Sequence, residues 1–375
     1  MKVVLVLEHF DWRKGGLESW TWQFAQLLKR RGCEVHVVAF GFHPDSEKET
    51  GIIPHPLERL RSRLKRAEAL EQYLLTTKAD VIHDMGAGWY ADVFHPHGGS
   101  ILATRAQNRL RIPRWRRLKF WTTRREREIR EIELRQHARP GAMTVAVSEM
   151  VKRHFEELDH LPAEKLRVIY NGVDLEKFTP ENREKFRDST RAQLGLRNET
   201  LFFLLAHNLR LKNAAMLIRA MGTLAAQNRP VHLLIAGSDN TAPFVRLAVK
   251  NGAASRITFL GPVDAAQYYA AADVAVLPTW YDPCSLFTLE AWSAGLPVIT
   301  TRHNGASELM TDSVQGYTLP DPANHLALAS RMEALLDEPT LAKMSTAARE
   351  LALKHSFEKQ ADEFLALYRE IMNKK

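Results

Sequence analysis

The chain has 375 residues, 45% of them hydrophobic and 26% charged, a length that suits two domains and a composition that suits globular folding. Its apolar stretches are strand-length runs, far short of a membrane span, and two cysteines, Cys33 and Cys284, in segments assigned to different domains support neither a disulfide framework nor a zinc site. The net charge of +8 points instead to an anionic partner.

The first run, VVLVL at 3–7, is followed at once by Glu8, His9 and Asp11 with no small-residue cleavage site, so it reads as a β-strand rather than a signal peptide, and the expected compartment is the cytosol. Gly15 and Gly16 then mark a loop. Leu17, Trp20, Phe24, Leu27 and Leu28 recur at helical spacing as far as Arg31-Gly32, and 34–40 resumes as a strand. Further strands are expected at 80–83, 92–94 and 143–147, which makes the first domain a mostly parallel, Rossmann-type sheet. Between them lies the basic segment 105–139, from Arg105 to Arg139. Its second half alternates Glu126, Glu128, Glu131 and Glu133 with arginines, the pattern of a solvated helix. Its first half has no acidic residue and carries Trp115, Phe120 and Trp121 among arginines, which suits an anionic membrane surface or acceptor as well as it suits a structural role.

A strand at 166–170 closes the first domain, taken as 1–170, and the polar stretch through Thr190 suits a linker. The pattern then restarts. Strands at 201–206, 231–236, 257–260, 274–277 and 297–301, with helical segments between them, predict a second Rossmann-type domain over 171–355 that faces the first across a cleft. The last helix, 356–375, has Phe357, Phe364, Leu367 and Tyr368 on one face and is expected to pack back on the first domain.

Ligands of open parallel sheets bind at the carboxyl ends of the strands, where helix N-termini attract phosphate. The Gly15-Gly16 loop would leave room for a phosphate, and it equally suits a simple turn. Neither G-x-G-x-x-G nor G-x-x-x-x-G-K-[ST] occurs, which argues against nicotinamide cofactors and P-loop chemistry. In the second domain Ser285 precedes a helix expected to start near Leu286, so amides and a hydroxyl would meet an anion there. Glu290, one turn in, could accept hydrogen bonds from a ribose diol or simply favour the helix dipole.

The segment WYDPCSLFTLEAWSAGLPVITT resembles the signature of the retaining glycosyltransferases of family four, and the Gly-Gly loop, VIYNGVDLEKF and the C-terminal helix occur in matching order over nearly the whole chain. Within the family the chain looks most like the bacterial lipopolysaccharide core glucosyltransferases. The resemblance implies an α/β GT-B fold, a nucleotide-sugar donor and no cofactor or metal. The chain also has no Asp-x-Asp pair, the usual metal-diphosphate ligand of the other large glycosyltransferase fold. It implies that Glu290 holds the donor ribose and that Leu286 and Phe287 offer backbone amides to the donor. Asp282 stands where a glutamate usually touches the transferred sugar, and Lys212 matches a lysine that grips the diphosphate. His207 occupies the place of the usual arginine, for which Arg210 is a substitute. His97 matches a histidine near acceptor and sugar, with His95 as its competitor.

The implied activity is transfer of a hexose, with UDP-glucose as the expected donor, to a glycolipid, a polysaccharide or a lipopolysaccharide-core acceptor, at the inner face of the cytoplasmic membrane and without nucleic acid. Two other readings make different predictions. A nucleotide-sugar epimerase of the same fold would turn over donor alone, and a nucleic-acid-binding protein using 105–139 would bind with steep salt dependence.

Overall fold

A computed structural model describes residues 1–110 and 123–375. The chain divides into two compact units, 1–170 with 357–375 and 171–356. The expectations placed on Arg114, Trp115, Arg116, Arg117, Phe120 and Trp121 lie outside the described residues.

In the first unit the strands are β1 (Lys2–Leu7), β2 (Glu34–Ala39), β3 (Ile53–Pro56), β4 (Val81–Asp84), β5 (Val93–Phe94), β6 (Met143–Ala146) and β7 (Leu166–Val168). They form one parallel sheet in the order β3-β2-β1-β4-β5-β6-β7. Helices α1 (Gly16–Arg30), α2 (Ser46–Thr50), α3 (Arg63–Leu75), α4 (Ile101–Leu110), α5 (Arg124–Ala138) and α6 (Glu149–Glu157) connect them. Alternate side chains of β1 point to opposite faces and enter different cores, as the pleat requires. Val3, Leu5 and Leu7 pack with Trp20, Phe24 and the last helix, and Val4 and Val6 pack with Leu70 and Leu74 of α3.

The second unit repeats the plan. Its strands β8 (Thr200–Leu205), β9 (Val231–Ala236), β10 (Ile257–Gly261), β11 (Val274–Leu277), β12 (Val298–Thr301) and β13 (Gly316–Leu319) run parallel in the order β10-β9-β8-β11-β12-β13. Its helices are α7 (Asn182–Gln193), α8 (Ala214–Ala226), α9 (Ala242–Lys250), α10 (Ala265–Ala271), α11 (Leu286–Ser293), α12 (His325–Ala334) and α13 (Glu338–Ala352). The final helix α14 (Phe357–Met372) returns to the first unit, where Phe364 and Tyr368 are fully enclosed. In both sheets the connection reverses direction beside the first strand, between β1 and β4 and between β8 and β11. Loops there part to opposite faces and leave room for a ligand.

Two features differ from the sequence expectations. The short strands β3 and β13 have no counterpart among the predicted ones; β3 reads IPHP, and its two prolines hide it from any strand pattern. The last helix expected over 356–375 is α14, and α13 before it ends ahead of Leu353–Ser356. The polar stretch read as a linker contains α7, whose Arg183, Arg187 and Arg191 lie on one face at i, i+4 and i+8. They close on the end of α10: Arg183 and Arg187 donate to the Ala272 carbonyl, Arg187 and Arg191 to that of Ala271, and all three pair with Asp273. An element docked through arginines carries no hydrophobic stripe to be read. Asp273 is only 7% exposed, so Asp273→Ala would strand three partly buried cations. Thermal unfolding is expected to show a loss of about 3 kcal/mol.

Candidate active site

In the second unit the loops that follow β8 and β11 form one braced structure. The β8 loop, 206–213, is held from three sides. Leu209 N donates to Asp239 Oδ2 at 2.8 Å, the Asn213 amide donates to the Pro322 carbonyl at 2.6 Å, and the Leu211 carbonyl accepts from Trp280 N at 3.0 Å. Its back rests on Gly237, whose φ of +133° and close approach to Ala206 admit no side chain; a Cβ there would lie 1.9 Å from the Ala206 carbonyl oxygen.

The β11 loop is tied to the loop after β12. Asp282 N donates to the His303 carbonyl at 2.9 Å and Gly305 N to the Asp282 carbonyl at 2.8 Å. Asn304, fully buried, completes the join: its Oδ1 accepts from Ser285 N and Ala306 N, each at 3.2 Å, and its Nδ2 donates to Thr288 Oγ1 at 3.0 Å and Thr300 Oγ1 at 3.1 Å. Asn171 adds a donor to the Cys284 carbonyl at 2.9 Å.

On this frame Lys212 Nζ and Asp282 Oδ2 form an ion pair at 2.5 Å, with side chains 22% and 12% exposed. The two expected donor ligands are therefore brought together. Arg210 and His207 are exposed on the same loop, where His207 Nδ1 lies 3.1 Å from Ser238 Oγ. The Ser285 hydroxyl caps α11 by accepting from Thr288 N at 3.3 Å, so toward an anion it has only its own proton to offer. Leu286 and Phe287 form the first turn of that helix. Glu290, one turn further, takes a hydrogen bond of 2.7 Å on Oε2 from the Tyr269 hydroxyl of α10. Burial pushes the Glu290 carboxyl up to about 7, against the Tyr269 hydrogen bond and the Lys177 charge, which hold it down.

In the first unit Gly15 and Gly16 open α1. Gly15 is in extended backbone that any residue adopts, and the Glu18 carboxylate reaches to 2.8 Å from where a Gly15 Cβ would stand. An anion at that turn would have to displace this acid. His97 follows β5 and lies in a stack of imidazoles, with ring centroids 4.1 Å from His95 to His97 and 5.4 Å from His83 to His95. Trp20 meets the His97 ring edge-on at 4.7 Å and donates from Nε1 to Gln360 of α14 at 2.9 Å, while the Tyr368 hydroxyl sits 2.6 Å from His83 Nδ1. Burial holds both His83 and His97 at about 3 and His95 well below its ordinary value, so all three are neutral near pH 7. Among the described residues no group of three or more His, Cys, Asp or Glu side chains could hold a metal ion.

Part of the basic segment is structural. On α5, Arg124 pairs with Glu128 and Arg135 with Glu131 at i,i+4, and the Arg135 and Arg139 guanidinium groups cover the rings of Trp89 and Tyr90 at 4.3 and 3.7 Å. Three residues escaped the sequence reading: Asn304, Asn171 and Tyr269. None stands in a spacing that signals chemistry, and each acts through one side-chain hydrogen bond network.

Two loops at a topological switch point, a lysine and a helix start on one side and a half-buried carboxylate one turn in, belong to a glycosyltransferase of the GT-B class. Residues 14–177 match the family model described as Glycosyltransferase Family 4, and 198–338 match that described as Glycosyl transferases group 1. The chain belongs to family four of the glycosyltransferases. It is 27% identical over 96% of its length to a D-inositol 3-phosphate glycosyltransferase of Mycolicibacterium smegmatis, covering 87% of that protein. It is 26% identical over 61% of its length to an uncharacterized glycosyltransferase of Methanocaldococcus jannaschii, of which it spans 60%. Among solved structures the fold is that of WaaG, a glycosyltransferase involved in lipopolysaccharide biosynthesis, with a TM-score of 0.81, 21% identity and coverage of 98% and 99% of the two chains. Anabaena HepE in complex with UDP-glucose superimposes with a TM-score of 0.76 at 19% identity over 98% and 99%.

Asn304→Ala would leave the Ser285 and Ala306 amides without their buried acceptor, at a cost of about 1–3 kcal/mol each. The expected outcome is a lower Tm, with faster amide hydrogen exchange concentrated in 281–288.

Proposed function

We propose that the protein is a retaining hexosyltransferase that takes glucose from UDP-glucose and transfers it to a glycolipid or lipopolysaccharide-core-type acceptor. The observation that carries this reading is the pairing of Lys212 with Asp282 beside the start of α11, with the Glu290 carboxylate one turn into the same helix. A nucleoside diphosphate needs those parts: donors for its phosphates at one end and a carboxylate for its ribose diol at the other. HepE, solved with UDP-glucose, and WaaG, involved in lipopolysaccharide biosynthesis, support the choice of donor and acceptor class.

Cleavage of the sugar–phosphate bond builds negative charge on the departing diphosphate. Lys212, Arg210 and the first amides of α11 meet that charge, and in this reading no metal ion takes part. Lys212 must leave Asp282 to do so, and the freed Asp282 then faces the hydroxyls of the sugar. His97, neutral, serves as a hydrogen-bonding partner of the transferred sugar rather than as a cation. The leaving phosphate takes the acceptor proton on the same face, which retains the anomeric configuration without a carboxylate nucleophile.

Among the described residues no helix is long and apolar enough to cross a membrane. In this reading the acceptor lipid is reached from the cytosolic leaflet, where Arg105 and Arg109 of α4 contact anionic headgroups.

Thermal shift with a panel of nucleoside diphosphates and their sugars tests the donor site. A ligand at a hundred times its Kd stabilises by about 2.7 kcal/mol, and the shift is expected with the uridine series and absent in Glu290→Ala. No shift from any nucleotide in folded wild-type protein would sink the reading. Lys212→Ala is expected to lower kcat about a hundredfold, the loss typical of one preorganised donor to a leaving oxyanion. Turnover of UDP-glucose without acceptor would point to epimerisation instead.

A further inference from the structure

Glu290 is a half-buried carboxylate, and the partner at hydrogen-bonding distance is a phenol and not a cation. Tyr269, on α10, is itself 1% exposed, and its phenol reaches two acceptors on α11: Glu290 Oε2 at 2.7 Å and the Phe287 carbonyl at 3.4 Å. A phenol has one proton. While Glu290 is ionised, that proton belongs on the shorter, charge-assisted bond, which fixes one carboxylate oxygen and sets the plane of the group. When Glu290 takes up a proton, the carboxylic acid becomes the donor and the phenol oxygen the acceptor, and the phenol proton turns to the Phe287 carbonyl. The same three groups therefore have two self-consistent hydrogen-bond arrangements, and only the first presents an acceptor-only carboxylate.

Aromatic packing leaves the phenol no other position. The Tyr269 ring lies between Phe178 at 5.4 Å, Phe203 at 5.3 Å and Phe287 at 5.7 Å, two of them edge-on, so its hydroxyl is aimed by the core rather than by solvent. The other charges that act on Glu290 come from the segment between β7 and α7, where Lys177 favours the ionised form and Asp174 opposes it.

We propose that Tyr269 is a positioning residue of the donor site, which keeps Glu290 ionised and oriented for the ribose diol and thereby sets the pH at which nucleotide-sugar is bound. The proposal rests on the reading of Glu290 as the ribose ligand. A carboxyl raised by burial binds the diol only above its own titration, so donor affinity rises with pH through that midpoint and falls toward tenfold per pH unit below it. Removing the phenol donor raises the midpoint further, because the ionised form loses its hydrogen bond.

Calorimetric titration of UDP-glucose into the full chain between pH 5.5 and 8.5 tests this, since the diphosphate diester keeps its charge across the range. Wild type is expected to lose affinity on the acid side. Tyr269→Phe keeps the ring and is expected to bind within about threefold of wild type at pH 8.5, with its acid limb displaced upward by about one pH unit. Glu290→Gln should bind weakly with a flat profile. A Tyr269→Phe profile that overlays wild type, or one weakened equally at every pH, overturns the positioning role while leaving Glu290 as ligand. Wild-type affinity and pH profile retained in Glu290→Gln, or no binding by wild type at all, overturns the ribose reading and the proposal with it.

Discussion

Two carboxylates of one segment, Asp282, buried, and Glu290, half-buried, are each held by a different partner. Asp282 has Lys212, a full charge at hydrogen-bonding distance, and the pair is neutral as a unit. Glu290 has a phenol at hydrogen-bonding distance and the Lys177 charge, and burial outweighs both and raises it. The remainder of the donor-side architecture follows from holding these two acids a helical turn and a loop apart. Asn304 fixes the loop that carries Asp282 to the start of α11, and α10 brings Tyr269 against the helix that carries Glu290. The α7 arginines in turn secure the end of α10. A chain of polar contacts thus runs from the α7 arginines to the Glu290 carboxylate.

The first unit solves a different problem. Its imidazoles are enclosed by Trp20, Phe364 and Tyr368, and such surroundings hold them neutral. A neutral imidazole exchanges hydrogen bonds with a sugar without carrying a charge that would repel a positive anomeric centre. The residues that create this environment come from both ends of the chain, α1 and α14, so the chemistry of His97 depends on a helix separated from it by the entire second unit.

Much of this was legible in the sequence, and the failures have physical causes. Buried parallel strands announce themselves as continuous apolar runs, so β1, β8, β9 and β11 could be read within a residue or two. Lys212 and Asp282 could be singled out only through the resemblance to family four, and spacing alone left Glu290 as suited to the helix dipole as to a ribose diol. By contrast β3 hides behind prolines, and α7 docks through guanidinium groups that look like solvent-facing charge. Asn304 and Tyr269 are ordinary residue types at ordinary spacing. Their importance lies in which elements the fold sets side by side, and that is a property of topology, not of local pattern.

The return of α14 has a consequence for how the protein is made. During synthesis the first unit emerges with one face of its sheet, along Val3, Leu5 and Leu7, lacking its full cover, since α14 is translated after the second unit. At about 5–20 residues per second the whole of the second unit must be translated first, a delay on the order of tens of seconds. For that interval Trp20, Phe24 and the unfinished core lack the cover that the sixteen-residue α14 supplies, the kind of exposed apolar surface that chaperones shield.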